Sequence, residues 1–140
     1  MPARLAFLDT NGWLALLNSS DALHDHAEVA WTALLERDFS VVLTDWIIAE
    51  TGNGLARTSL RHQFVQSVEI IRSSSRAQVI SVSDHLLRRA LELYGSRSDK
   101  TWGLVDCASF LVMQDEGIHE VLTNDRHFKQ AGFNCLLPLP

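Results

Sequence analysis

Four acidic residues stand where packing alone gives them no role: Asp9, Glu50, Asp106 and Asp125. Asp9 directly follows the apolar run Leu5–Leu8, and Asp125 comes two residues after another, Glu120–Thr123. A carboxylate ending a buried strand must be paired, capped or solvated. Glu50 and Asp106 lie in Thr44-Asp45-Trp46-Ile47-Ile48-Ala49-Glu50 and Leu104-Val105-Asp106-Cys107-Ala108-Ser109-Phe110, whose other residues are mostly apolar. Carboxylates gathered without a cation repel one another, which raises their pKa values. A hard divalent ion with oxygen ligands removes that repulsion, and Mg²⁺ or Mn²⁺ is the natural choice. Such a site suits phosphodiester hydrolysis, in which the metal activates water, orients the phosphate and stabilises the leaving oxygen. It does so most fully when two ions act about 3.5–4 Å apart. Taken singly, each acid is explained as well by a cap or an ion pair. Asp125 is the most open to that explanation, because an Asp just before a helix is a common N-cap.

Short apolar runs alternating with longer amphipathic segments must position these acids, a pattern that predicts an α/β sheet built from βαβ units. The expected strands are Leu5–Leu8, Val41–Leu43, Val79–Val82, Glu120–Thr123 and Cys135–Leu137. Each is short and aliphatic, as parallel strands covered on both faces are. Asp21 can cap a helix burying Leu23, Ala27, Ala30, Trp31, Leu34 and Leu35. Asp45 can cap the next, from Trp46 towards Arg57, which Gly52 and Gly54 weaken. Further helices are expected from about Arg61 to Ile71, with Phe64, Val65, Val68 and Ile71 inward, and from Ser83, burying Leu86, Leu87, Ala90, Leu91 and Tyr94 before Gly95. Thr101 can cap the helix that carries Asp106 and ends at Gly117, and a short last helix runs from near Arg126 to before Gly132. Connections are brief, so residues 1–140 are expected to form a single domain. In an open parallel sheet, ligands bind beyond the carboxyl ends of strands where strand order reverses. Asp9 and Asp125 are placed to meet there.

The net charge of −5 argues at first against a nucleic-acid partner. Its distribution weakens that objection. Between Arg57 and Lys100 eight basic residues face four acids, whereas the rest of the chain carries four basic and thirteen acidic residues. Ions held by the acidic cluster would neutralise part of the excess. The run Leu5–Leu8 is too short for a signal peptide or a membrane span, and Cys107 and Cys135 make neither a zinc spacing nor a disulfide framework. A reduced, cytoplasmic protein with no membrane association is expected.

Other motifs are weaker. His24 and His26 lie two apart on a helix, point about 200° away from each other, and cannot share one ion. His127 is either an RNA contact or a helix-surface histidine. Trp13, Trp31, Trp46 and Trp102 occupy apolar helical positions suited to a core or dimer interface rather than to base stacking. Cys107 has no His–Asp partner pattern and is read as packing. Gly52-Asn53-Gly54 falls inside a helix, so it is no dinucleotide fingerprint, and neither a phosphate-binding glycine loop nor a Gly-x-Ser-x-Gly elbow is present.

Phe7-Leu8-Asp9-Thr10, the Thr44–Glu50 and Leu104–Phe110 segments, and Leu122-Thr123-Asn124-Asp125-Arg126-His127-Phe128 with Ala131-Gly132-Phe133 together resemble the PIN domain, most closely its VapC-type toxin branch. The match runs in order over nearly the whole chain, including Asp21-Ala22-Leu23-His24. The resemblance implies a three-layer α/β/α fold around a five-stranded parallel sheet. It also implies a Mg²⁺- or Mn²⁺-dependent endoribonuclease, often homodimeric, with a VapB-type antitoxin whose tail occludes the site. Carried over by position, Asp9, Glu50, Asp106 and Asp125 become the metal-binding and catalytic cage. Thr10, Ser109 and Thr123 become hydroxyls that orient carboxylates or phosphate. Asp99, in the loop before the Asp106 helix, is a further candidate, and Arg57, Arg61, Arg72 and Arg76 are candidates for a phosphate track.

Two alternatives use the same acids differently. An aspartyl-phosphate phosphatase wants a second Asp two residues after the strand-end Asp, and position 11 is Asn; a phosphoacceptor domain would instead be labelled at an aspartate. A non-catalytic RNA- or partner-binding protein would use the acids structurally and would bind without turnover.

Overall fold

The computed structural model describes residues 4–140. Five parallel strands form one sheet: β1 (Arg4–Leu8), β2 (Phe39–Thr44), β3 (Ala77–Ile80), β4 (Glu120–Leu122) and β5 (Asn134–Cys135). Their spatial order is β3-β2-β1-β4-β5. The chain therefore builds outward from β1 through β2 to β3, then returns to add β4 and β5 on the other side. The reversal lies between β1 and β4, where Phe7 faces Val42 on one neighbour and Val121 on the other.

The helices among the described residues are α1 (Thr10–Leu17), α2 (His24–Glu36), α3 (Asp45–Gly54), α4 (Arg61–Ser73), α5 (Asp84–Ser96), α6 (Leu104–Glu116) and α7 (Arg126–Gln130). They cover both faces of the sheet, because successive side chains of a strand point to opposite sides. The Phe7 ring lies 6.4 Å from that of Phe128 on α7, which in turn stacks edge-on with Phe110 of α6 at 4.9 Å. The next residue, Leu8, instead lines an apolar cleft with Trp13 and Leu16 of α1, Trp31 of α2 and Ile71 of α4. The result is the expected three-layer α/β/α arrangement. No helix among the described residues is long and apolar enough to cross a membrane.

Several local expectations hold. Ser83 caps α5 by accepting the Leu86 N–H, Gly117 ends α6 with φ 67°, and Gly132 follows α7 with φ 96°. Others are displaced by tertiary partners. Thr44, not Asp45, caps α3, because Asp45 Oδ1 is taken by the Val82 N–H at 2.9 Å. That bond lies beyond β3, which stops at Ile80 rather than reaching Val82, and α3 itself ends at Gly54, short of Arg57. Asp21 accepts the Leu23 N–H in a turn that precedes α2 instead of capping it. Gly103 occupies the N-cap of α6, and Thr101 turns to His127. Val65, Leu91 and Tyr94 are exposed rather than inward, and α5 continues through Gly95 to Ser96. α1 has no counterpart among the helices predicted from spacing. Its run Thr-Asn-Gly-Trp-Leu-Ala-Leu-Leu shows no helical period because it packs on several sides at once.

Candidate active site

The four acids reach one place from four elements. Asp9 leaves β1 in extended geometry and forms the N-cap position of α1, its carbonyl accepting the Trp13 N–H at 3.0 Å. Asp125 occupies the same position after β4 at the start of α7, so both acids sit beyond strand ends at the switch in strand order. Glu50 comes in on α3 and Asp106 on the first turn of α6. Their proximity shows in mutual repulsion. Asp9 is raised by Asp106 and Glu50, Glu50 by Asp106 and Asp125, and Asp106 by Asp125.

Burial is the larger effect in each case. Asp9 is only 4 % exposed. Loss of water is the main cause that lifts its carboxyl from 3.8 to about 7, partly opposed by bonds from Thr123 and the Thr10 backbone. Desolvation likewise leads the upward shifts of Glu50 and Asp106. Among the described residues, no Lys or Arg is ion-paired with any of the four. These are carboxylates held together at a cost that their own surroundings do not offset.

Hydroxyls orient them. Thr123 Oγ1 donates to Asp9 Oδ2 at 2.7 Å and accepts the Asp125 N–H at 3.1 Å, so one buried hydroxyl sets two acids. The Thr10 hydroxyl, beside Glu50, partly lowers the pKa of that carboxyl. Thr10 is itself 3.1 Å from the hydroxyl of Thr51, a buried residue that the sequence did not single out. Ser109, the third expected hydroxyl, is fully buried, and among the described residues its Oγ has no hydrogen-bond partner.

A fifth side chain completes the cluster. His127 Nδ1 is 3.1 Å from Asp106 Oδ2 and 3.4 Å from Asp125 Oδ1. One ligand atom each from Asp106, Asp125 and His127 lies within 4.8 Å of the others, close enough to share a cation. The sequence left His127 between an RNA contact and a surface histidine. The signal that could have found it is its place two residues after Asp125, on the first turn of a helix that the strand-end acid caps. Another cross-link joins Asn11 to Asn124 at 3.0 Å, tying α1 to the loop after β4.

The remaining candidates lie outside this cluster. Asp99 is exposed and takes two bonds from Arg97, at 3.0 and 3.2 Å, which hold its carboxyl below the ordinary value. Arg76 donates to the Leu35 and Phe39 carbonyls at 3.0 and 2.7 Å and so ties α2 to β2 instead of facing solvent. Arg57 and Arg61 are exposed around the α3–α4 connection, and Arg72 is exposed on α4 beside Ala77 and Val79 of the edge strand β3. None of the four arginines bonds to the acids. Trp13 and Trp102 are core residues whose Nε1 atoms donate to Ser67 and Gln130, as a buried indole requires. His24 bonds to the Ala15 carbonyl and to Glu28, a packing role.

An oxygen-rich, repulsive and partly buried donor set of this kind fits a hard divalent cation. Comparison with known proteins identifies the family. The PIN domain family matches residues 6–134. The chain is 30 % identical over 129 residues to the 23S rRNA-specific endonuclease VapC20 of Mycobacterium tuberculosis, covering 92 % of this chain and 95 % of that protein. The crystal structure of Mycobacterium tuberculosis VapC20, described as a sarcin–ricin loop cleaving toxin, superposes with a TM-score of 0.84 at 29 % identity, over 95 % of this chain and 99 % of the other. VapBC2 from Rickettsia felis, bound to a promoter DNA fragment, shares the fold with a TM-score of 0.66 at 19 % identity, over 97 % of each chain. By the family model over residues 6–134, the 30 % identity to VapC20 and the shared fold, this chain belongs to the PIN-domain family, in its VapC-type branch.

Proposed function

We propose that the protein is a Mg²⁺- or Mn²⁺-dependent endoribonuclease, the toxin of a toxin–antitoxin pair, whose cage is Asp9, Glu50, Asp106 and Asp125. The observation that carries this reading is the convergence of these carboxylates at the strand switch with Asp9 lifted to about 7. The chemistry a bound divalent ion supplies there is water activation and neutralisation of charge on the scissile phosphate. The protein's own task is positional. Thr123 aims Asp9 and, through the Asp125 N–H, the start of α7. Thr10 lies beside Glu50 and favours its charged form, while Gly103 and His127 hold one oxygen of Asp106. Hydrolysis by this route leaves a 3′-hydroxyl and a 5′-phosphate.

The relative that cuts 23S rRNA makes a ribosomal RNA hairpin the first substrate to test. A VapB-type antitoxin is the proposed partner, in keeping with the VapBC complexes that share this fold. Homodimerisation belongs to the same reading. Val29 on α2 and Val65 and Ile70 on α4 are 71 %, 55 % and 67 % exposed, apolar surface that self-association would cover.

The test is cleavage of a sarcin–ricin hairpin and of a mixed RNA pool with Mg²⁺, with Mn²⁺ and with chelator, beside Asp9→Asn. Metal-dependent cuts that vanish in the mutant are expected. Binding without turnover under every condition would reassign the protein to a non-catalytic role.

A further inference from the structure

The end of α5 and the loop before α6 enclose a groove of about 500 Å³ lined by Tyr94, Arg97, Lys100, Thr101, Trp102 and Gly103. It opens beside the acidic cluster. Its Gly103 wall donates a backbone N–H to Asp106 Oδ2 at 3.0 Å, and its Thr101 hydroxyl lies 3.1 Å from His127 Nε2. Whatever lies in the groove therefore runs directly onto the residues that hold Asp106.

The lining has two features that packing leaves unused. Tyr94 sits at a position whose spacing on α5 matches the buried face, yet 53 % of it is exposed. Lys100 is half-buried, and among the described residues it forms no ion pair. The neighbouring cation is already engaged. Arg97 lies 4.8 Å over the Trp102 ring and gives two bonds to Asp99, and Trp102 is pinned by Gln130. Arg97 and Trp102 are thus engaged, while the Tyr94 ring and the Lys100 ammonium, which acts on Asp99 from a distance without forming an ion pair with it, remain on the groove wall. An exposed aromatic beside a cationic groove is how proteins hold single-stranded nucleic acid, by base stacking and phosphate pairing.

We infer that this groove is the RNA subsite flanking the cleavage position, where a nucleobase stacks on Tyr94 and a backbone phosphate pairs with Lys100. The inference rests on the nuclease reading and names the surface through which it acts. Four carboxylates repel a polyanion, and of the two cations lining the groove Lys100 is the one that forms no ion pair among the described residues. The strand enters along Tyr94 and Lys100 and passes Thr101 and Gly103 to reach Asp106. The pairing of one exposed aromatic ring with a groove cation matches the alternating base and phosphate of a nucleic-acid strand, the combination that single-strand binders use.

The experiment measures hairpin-RNA affinity by fluorescence anisotropy with Ca²⁺ in place of Mg²⁺, and steady-state cleavage with Mg²⁺. Tyr94→Ala is expected to weaken binding about tenfold, the scale of one lost base stack. Lys100→Ala should weaken it and lower the salt slope by about 0.7, the contribution of one phosphate on a single strand. Both should raise KM with kcat unchanged, the signature of lost uniform binding. Tyr94→Phe should keep wild-type affinity, as should Arg88→Ala, whose charge is paired with Asp84. Wild-type cleavage with unaltered KM in both alanine variants would overturn the subsite alone. A wild-type protein that neither binds nor cuts RNA would overturn the nuclease reading with it. Loss of antitoxin binding with RNA affinity intact would reassign the groove to a protein partner.

Discussion

His127 Nδ1 lies 3.1 Å from Asp106 Oδ2, the same oxygen that accepts the Gly103 N–H at 3.0 Å. With Nδ1 donating, Nε2 is left to accept from Thr101, so the ring is held at both nitrogens. One oxygen of Asp106 is thereby fixed, and among the described residues the other has no protein donor. A group that orients a ligand carboxylate sets metal affinity without contributing to the fold as a whole. His127→Ala is expected to weaken Mn²⁺ binding about 10–100-fold. His127→Asn, whose amide can replace the Nδ1 donor, should recover most of it. Titration calorimetry with Mn²⁺ checks both, and unchanged affinity in His127→Ala would deny the histidine its orienting role.

Asp9 links the site to stability. Its carboxyl titrates at about 7 in the fold against 3.8 ordinarily, so between those values the folded state holds a proton that the unfolded chain has released. Stability of the metal-free protein must then fall as pH rises through that window, by about 4 kcal/mol for a shift of this size. Glu50 and Asp106 are shifted in the same direction and add to the fall. A bound cation takes the place of the proton. The melting temperature without metal should be lower at about pH 8 than at about pH 5.5, and the rise on adding Mn²⁺ should be larger at the higher pH. Asp9→Asn should flatten both trends while staying folded. A melting temperature that climbs with pH in chelator would contradict the shift.

Gly12 lets α1 approach β4. A Cβ there would fall against the Leu122 carbonyl, 2.8 Å from its carbon, and rigid backbone cannot yield as a side chain can. Gly12→Ala is expected to cost about 1–3 kcal/mol, the usual range for overpacking. Because Leu122 precedes Thr123, the Thr123–Asp9 bond should loosen and Mn²⁺ affinity should fall as well. Urea unfolding and calorimetry measure the two effects, and a neutral Gly12→Ala would show that the helix can shift without disturbing the site.

Arg76 separates structural from nucleic-acid roles among the arginines. Its guanidinium satisfies two carbonyls, at the end of α2 and the start of β2. Arg76→Ala should lower stability by about 1.5–3 kcal/mol, the range for hydrogen bonds to a charged group. RNA affinity should be unchanged, in contrast to Lys100→Ala. A variant of wild-type stability with weakened RNA binding would restore Arg76 to the phosphate track.

The acids were legible because their setting is local. An aspartate closing an apolar run, or one embedded in an apolar helix, shows in a few neighbouring residues, and parallel strands announce themselves by short aliphatic runs. Glycine stops such as Gly117 are equally local, since a left-handed residue ends a helix wherever it occurs. What was not legible involves partners far apart in the chain. Asp45 gave up its capping role to the Val82 N–H, thirty-seven positions away. Thr101 turned from its helix to His127, and Arg76 folded back on Leu35 and Phe39. Nothing near Tyr94 in sequence shows that its side of α5 opens onto a groove.

From sequence alone came the sheet-and-helix alternation, the strand-end positions of Asp9 and Asp125, and the chemistry four oxygen-donating acids can perform, because each depends on residue type and short-range spacing. Tertiary structure alone decided the strand order that brings β1 and β4 together, the shared hydroxyl of Thr123, the depth of burial that lifts Asp9, and the histidine that holds Asp106. Those features depend on distances between segments up to 114 residues apart, which are set when the whole core closes and not before.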